Sequence, residues 1–126
     1  MPPTGWWPLA KKRVLLLLRR TPFNSVMATE GLRQSVGLTM AENQVTVLLM
    51  GPAAWLATPV SPQTIGGGEV KKHLDMLARL KAQVLVDAQS LKAQGIDPAR
   101  VLPGIRVIPR EEALAQMATA EACIPF

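Results

Sequence analysis

The chain has 126 residues, of which 48% are hydrophobic, with 14 Lys and Arg against 9 Asp and Glu. This length suits one core, and we predict an irregular segment over residues 1–10 followed by a single domain over 11–126. The single cysteine excludes an internal disulfide framework, and a lone histidine beside it argues against a zinc site. Since no stretch approaches the ~20 apolar residues of a membrane span, we expect a cytoplasmic protein with no membrane association.

The basic charge is concentrated near the start of the chain. Five cations lie within the first twenty residues, on both sides of an apolar run, where they keep the ends of a strand in water. Because they do not follow one helix face, we expect no nucleic-acid partner. The mean hydropathy of +0.18 is high for a small soluble domain. We therefore expect surplus apolar surface to be covered in a homo-oligomer.

Short apolar runs alternate with amphipathic segments along the chain. The runs predict strands over residues 13–18, 44–50, 84–86, 105–108 and 122–126. Helical spacing predicts helices over 28–39, 69–82, 88–94 and 109–118, with one helical turn at 53–57 and a mobile loop at 59–68. This alternation predicts an α/β domain whose parallel sheet has helices on both faces.

Three glycines carry separate expectations. Gly31 and Gly37 interrupt the first predicted helix, where we expect close packing against the sheet to require them. Gly95 follows the third predicted helix, at the position where a left-handed backbone commonly ends a helix.

A candidate pocket lies where three loops meet at the carboxyl edge of the predicted sheet, since open α/β sheets bind ligands there. The loops span residues 19–25, 51–55 and 87–89, and they provide hydroxyls, amides, an indole, a carboxylate and helix N-termini. The candidate residues are Thr21, Asn24, Ser25, Gly51, Trp55, Asp87 and Gln89. With no dinucleotide fingerprint, P-loop or paired metal ligands in the sequence, we expect neither a cofactor nor a metal.

Asp87 is the most informative single residue, because it ends an apolar run and begins the next helix. Two roles fit it: a general base or polar anchor at the sheet edge, or a helix N-cap. The only thiol, Cys123, lies in the last apolar run, where we expect a buried strand and an inert side chain. We expect His73 to be a half-buried packing residue beside the apolar stripe of its helix.

In order and pattern the chain resembles the DsrE/DsrF-like sulfur-relay family from about Lys12 to Phe126. The resemblance is carried by KRVLLLL at 12–18 with TPF at 21–23, ATEGLR at 28–33, VTVLLMG at 45–51, SLKAQGI at 90–96 and ACIPF at 122–126. Membership implies a three-layer α/β/α domain with a five-stranded parallel sheet that assembles as trimers or hexamers. It also implies persulfide sulfur carried on a cysteine at the end of the third strand, for tRNA thiolation or sulfur oxidation.

The chain departs from this pattern at the position that matches the relay cysteine. That position is Asp87, and a carboxylate cannot hold a persulfide, while Cys123 does not match it. The leading hypothesis is therefore a non-catalytic structural or binding subunit, in a homo-oligomer or with other sulfur-relay subunits. The alternatives are a sulfur carrier or transferase that uses Cys123, and a small-ligand or nucleotide-binding module that uses the three-loop pocket.

Overall fold

The computed structural model describes residues 13–19, 27–41, 43–59 and 69–126. Several predictions fall outside the described residues. These are the irregular segment 1–10, nearly all of the predicted mobile loop at 59–68, and the pocket candidates Thr21, Asn24 and Ser25.

Strands and helices alternate along the described chain. The elements are β1 (Arg13–Leu18), α1 (Met27–Met40), β2 (Gln44–Leu49), α2 (Glu69–Arg79), β3 (Gln83–Asp87), α3 (Ala88–Ala93), β4 (Ile105–Ile108), α4 (Arg110–Thr119) and β5 (Ala122–Pro125). A 3₁₀ segment, Gly51–Ala57, replaces the predicted helical turn after β2, and a second one spans Pro98–Arg100. All four strand pairs are parallel, in the order β4-β3-β2-β1-β5. The predicted α/β class and five-stranded parallel sheet are confirmed.

The sheet separates two apolar clusters, because successive side chains of a strand point to opposite faces. On the first face Leu16, Val47 and Val86 are fully buried under α1, α2 and α3. On the second face a smaller cluster is formed by Leu15, Leu17, Leu48, Leu85 and Ile108 with Ala113 of α4. Helices therefore lie on both faces, as predicted, and the domain has three layers.

In the described part of the chain, α4 is the helix that covers the second face, and it crosses that face diagonally. It must do so because β4 and β5, which it connects, lie at opposite edges of the sheet. Its first residue, Arg110, contacts Asp87 at the carboxyl end of β3. Just beyond its last turn, the N–H of Glu121 donates to the carbonyl of Arg13, at the amino end of β1 (2.8 Å). Two corners of this face consequently lie outside its path: the carboxyl ends of β1 and β5, and the amino ends of β2 and β3.

Of the three predictions for glycines, two are confirmed and one is wrong. A Cβ added at Gly31 would lie 3.2 Å from side-chain atoms of both Leu18 and Phe126, so α1 does approach the sheet closely there. The expectation for Gly37 is wrong: it is exposed, and a Cβ there would meet no atom within 4 Å. Gly95 has a φ of +70°, which confirms the left-handed residue after α3.

The helices are short. The longest described one, α1, has 14 residues. None of the described helices combines the length and the apolar character that a bilayer crossing requires.

Candidate functional site at the carboxyl end of β3

Asp87 closes β3 and opens α3. The preceding residues, Val84 to Val86, are buried on both faces of the sheet. Asp87 follows them and therefore lies at the carboxyl edge of the sheet. There its backbone is extended, and its Oδ2 accepts hydrogen bonds from the backbone N–H of Ser90 (2.9 Å) and from the Ser90 hydroxyl (2.8 Å). This is helix N-cap geometry, and it confirms the capping interpretation of Asp87.

Arg110 supplies the positive charge that pairs with Asp87. Its Nε and Nη2 lie 3.0 and 2.7 Å from the same carboxylate oxygen, Oδ2. The Asp87 side chain is 0% exposed and that of Arg110 is 36% exposed, so the pair joins a buried anion to a cation at the surface. Across the described structure, the other oxygen of Asp87, Oδ1, is buried and accepts no hydrogen bond. One carboxylate oxygen thus receives four donor contacts and the other receives none.

The pKa of Asp87 results from two opposing effects. Burial favours the neutral acid and raises the pKa. The hydrogen bonds from Arg110 and Ser90, together with the positive charge of Arg110, favour the carboxylate and outweigh burial, so the pKa lies below its ordinary value. Asp87 is therefore ionised near neutral pH and is a weak base, which suits a structural ion pair better than proton transfer.

Ser90 connects this site to the loop after β2. Its hydroxyl accepts a hydrogen bond from the N–H of Gly51 (2.8 Å), a residue with a left-handed φ of +57°. Two of the three predicted loops therefore meet at Ser90. Trp55 lies in the same 3₁₀ segment as Gly51, half-buried, and its indole N–H donates to Gln94 (3.2 Å), while Gln89 is exposed. A ligand in this pocket stays a prediction.

Sequence reasoning missed Arg110 and Ser90. A signal for Arg110 was present, because it lies two residues after the predicted strand 105–108, and the carboxyl ends of parallel strands meet at one edge of a sheet. The role of Ser90 follows from its spacing. It lies three residues after the N-cap, where the backbone N–H commonly donates to the side chain of the cap residue. Neither residue belongs to a motif with a known chemistry, so the sequence pattern predicts both only as helix positions.

The burial predicted for Cys123 is wrong. The thiol is exposed, because β5 is an edge strand and Cys123 points to the second face at the free edge of the sheet. Its neighbours Ala122 and Ile124 point to the other face and pack against the larger cluster. His73 is half-buried, as predicted. Among the described residues, no group of three or more His, Cys, Asp or Glu could hold a metal ion.

The comparisons with known proteins agree with this architecture. The model of the DsrE/DsrF-like family matches residues 12–126, and the chain belongs to that family. The fold is similar to the crystal structure of the ychN protein from E. coli, with a TM-score of 0.79 and 18% identity over 91% of this chain and 99% of that one.

It is also similar to MTH1491 from Methanobacterium thermoautotrophicum, a protein of unknown function, with a TM-score of 0.70 and 16% identity over the same shares of both chains. At such identities these two structures bear on the fold alone. The comparison with curated proteins found no match.

Proposed function

We propose that this chain is a non-carrier member of its family: a structural or binding subunit of a sulfur-relay assembly whose thiol-bearing subunits carry the sulfur. The observation that supports this most directly is the state of Asp87. At the strand end where the family resemblance places the relay cysteine, the side chain is a fully buried carboxylate paired with Arg110. That group has no sulfur to form a persulfide, and its Oδ2 is occupied by the structural partners Ser90 and Arg110.

The hydrogen bonds around Asp87 support a structural role for the carboxyl edge of the sheet, because they fix the segments that meet there. Asp87 Oδ2 holds the first turn of α3 through Ser90 and the first residue of α4 through Arg110. Ser90 in turn holds Gly51 after β2. Three connections are thereby bound to one carboxylate, which keeps the rim in one shape for recognition by another subunit.

Exposed apolar side chains support association with other subunits. Leu114 on α4 is 53% exposed and Val107 on the edge strand β4 is 37% exposed. We propose an assembly of three or six subunits, made of this chain alone or with other sulfur-relay subunits. Light scattering on the purified chain, alone and mixed with the proteins encoded beside it, tests this. A monomeric mass in every mixture would contradict it.

A sulfur-loading experiment tests the non-carrier role. The native protein is incubated with inorganic polysulfide, freed of excess donor and weighed by intact mass spectrometry, next to the Cys123→Ser variant. Because the Cys123 thiol is exposed, polysulfide reaches it, but we expect neither protein to retain a sulfur atom once the donor is removed. A stoichiometric persulfide that is present in the native chain and absent from Cys123→Ser would refute the proposal.

That refuting result would establish the second candidate, a carrier that uses Cys123, which the exposure of its thiol favours. In this case the Cys123 thiolate attacks a terminal sulfur of the polysulfide. A new S–S bond forms on Cys123, the adjacent S–S bond of the donor breaks, and the shortened polysulfide leaves with the electron pair.

A further inference from the structure

A cavity of about 460 Å³ opens at the amino end of the sheet, opposite to the edge that holds Asp87. Its volume lies within the range of small-molecule sites. The charged and polar side chains of its lining include Arg13, Gln44, Thr46, Lys81, Gln83 and Gln116. The diagonal path of α4 explains why the cavity exists, because the helix leaves the amino ends of β2 and β3 outside its path.

The floor of the cavity is polar, whereas the same strands, β2 and β3, are apolar further along. Thr46 and Gln83 are paired in register on the second face, with Oγ1 and Oε1 3.5 Å apart. Two residues further along the same strands and on the same face, Leu48 and Leu85 are fully buried. Gln44 precedes Thr46 on this face, and Gln116 of α4 forms the facing wall. The strands therefore change from packing residues to hydrogen-bonding residues at the cavity.

Two cations lie at the same cavity. Lys81 has a left-handed φ of +62° and ends α2 in a Schellman motif, in which its N–H donates to Ala78 and the next N–H to Leu77. Within the described chain, Lys81 makes no ion pair. Arg13 is 59% exposed, and its Nε lies 3.7 Å from Glu121, so this contact is a weak surface pair.

The chemistry of the lining limits the ligand. Amide side chains and hydroxyls both donate and accept hydrogen bonds, which suits a hydroxylated molecule. The described residues that line the cavity include no carboxylate and no aromatic ring on which a nucleobase could stack. Arg13 also pairs with Glu121, so a bound anion competes with that carboxylate for Arg13, whereas Lys81 has no such competitor among the described residues. The carbonyl ends of α1 and α2 also point to this end of the sheet and offset part of the positive charge. That balance favours one phosphate group over a polyphosphate.

We propose that this cavity is a second binding site, for a small hydroxylated anion of the phosphate-monoester class. Lys81 and Arg13 pair with the phosphate, and the amides of Gln44, Gln83 and Gln116 bind the hydroxyls. The site lies at the other end of the strands from Asp87, so it does not depend on the role proposed for that residue.

Calorimetric titration of the full chain with glycerol 3-phosphate and glucose 6-phosphate tests the site, with glycerol, glucose and inorganic phosphate as matched controls. We expect at least one ester to bind with a Kd of about 1 mM or tighter, and the controls to bind at least about tenfold more weakly. The absence of binding by both esters, or equal binding of inorganic phosphate, would overturn the proposal.

Two variants locate the binding. Lys81→Gly removes the ammonium group and at the same time relieves the left-handed backbone, so it stays folded and weakens ester binding by about tenfold or more. Gln83→Leu keeps the size of the side chain and removes its hydrogen bonds, and it weakens binding as well. Lys72→Ala, which removes an exposed cation that does not line the cavity, is the charge-matched control. Equal losses in Lys72→Ala and Lys81→Gly would show non-specific attraction and overturn the assignment.

Discussion

Arg110, the first residue of α4, donates from Nε and Nη2 to one buried oxygen of Asp87, the last residue of β3. The helix that covers the second face is thus ion-paired to the strand end that also starts α3. Replacing Asp87 acts on three elements at once, which separates it from an ordinary helix cap.

Asp87→Ala should lower the free energy of unfolding by about 2–4 kcal/mol. The variant loses an N-cap and leaves the buried N–H and hydroxyl of Ser90 without the acceptor they now share. Urea denaturation measures the change. Asp97→Ala is the matched control, because Asp97 is an exposed cap that accepts from Ala99 (2.9 Å). We expect it to cost about 1 kcal/mol, and equal losses in the two variants would contradict a special role for Asp87.

Acid should destabilise the protein partly through Asp87. Its folded-state pKa lies below the ordinary value of about 3.9, so the unfolded chain takes up the proton more readily than the folded one. The stabilisation is complete above that ordinary value and is lost as the pH falls through the lower folded pKa. Below pH 5, the free energy of unfolding, measured by denaturation at each pH, should therefore fall less with decreasing pH for Asp87→Asn than for the native chain. Parallel pH profiles would show that Asp87 does not contribute.

The two glycines of α1 should respond differently to alanine. Gly37→Ala should stabilise the protein by about 0.5–1 kcal/mol, since the position is exposed, open and inside a helix. Gly31→Ala should not gain this stability, because its Cβ would crowd Leu18 and Phe126, and Gly31→Val should destabilise. Thermal unfolding of the three variants measures the difference. An equal gain in Gly31→Ala and Gly37→Ala would mean that the helix does not press on the sheet at Gly31.

Cys123 should react with a thiol reagent in the folded protein at a rate comparable with that in denaturant, because its side chain is exposed. Absorbance kinetics with a disulfide reagent measure both rates on the same sample. Slow labelling of the native protein alone would show that another chain covers β5 on the second face, which a repeat at low protein concentration would reveal.

Local patterns predicted the strands to within one residue at each end, because buried apolar runs between helices have few alternatives. They did not predict the strand order, and the error at Cys123 follows from it. An apolar run such as 122–126 is typical of a strand covered on both faces, whereas β5 lies at an edge beside β1. Arg110 was missed for a related reason: its partner Asp87 lies 23 residues earlier, on the other side of α3, a 3₁₀ segment and β4. Contacts of this kind depend on topology rather than on local sequence.

The position of β1 has a consequence for how the chain folds. Its register with β5 joins Leu15 to Cys123, a separation of 108 residues. During synthesis β1 therefore leaves the ribosome about a hundred residues before β5, so the edge of β1 that pairs with β5 stays unpaired. This strand contains an unbroken run of leucines. Such an edge invites pairing with other nascent chains, and closing so distant a contact is slow. Productive folding should consequently be limited by the docking of β5, and chaperones that bind extended leucine-rich segments should engage β1 until that moment.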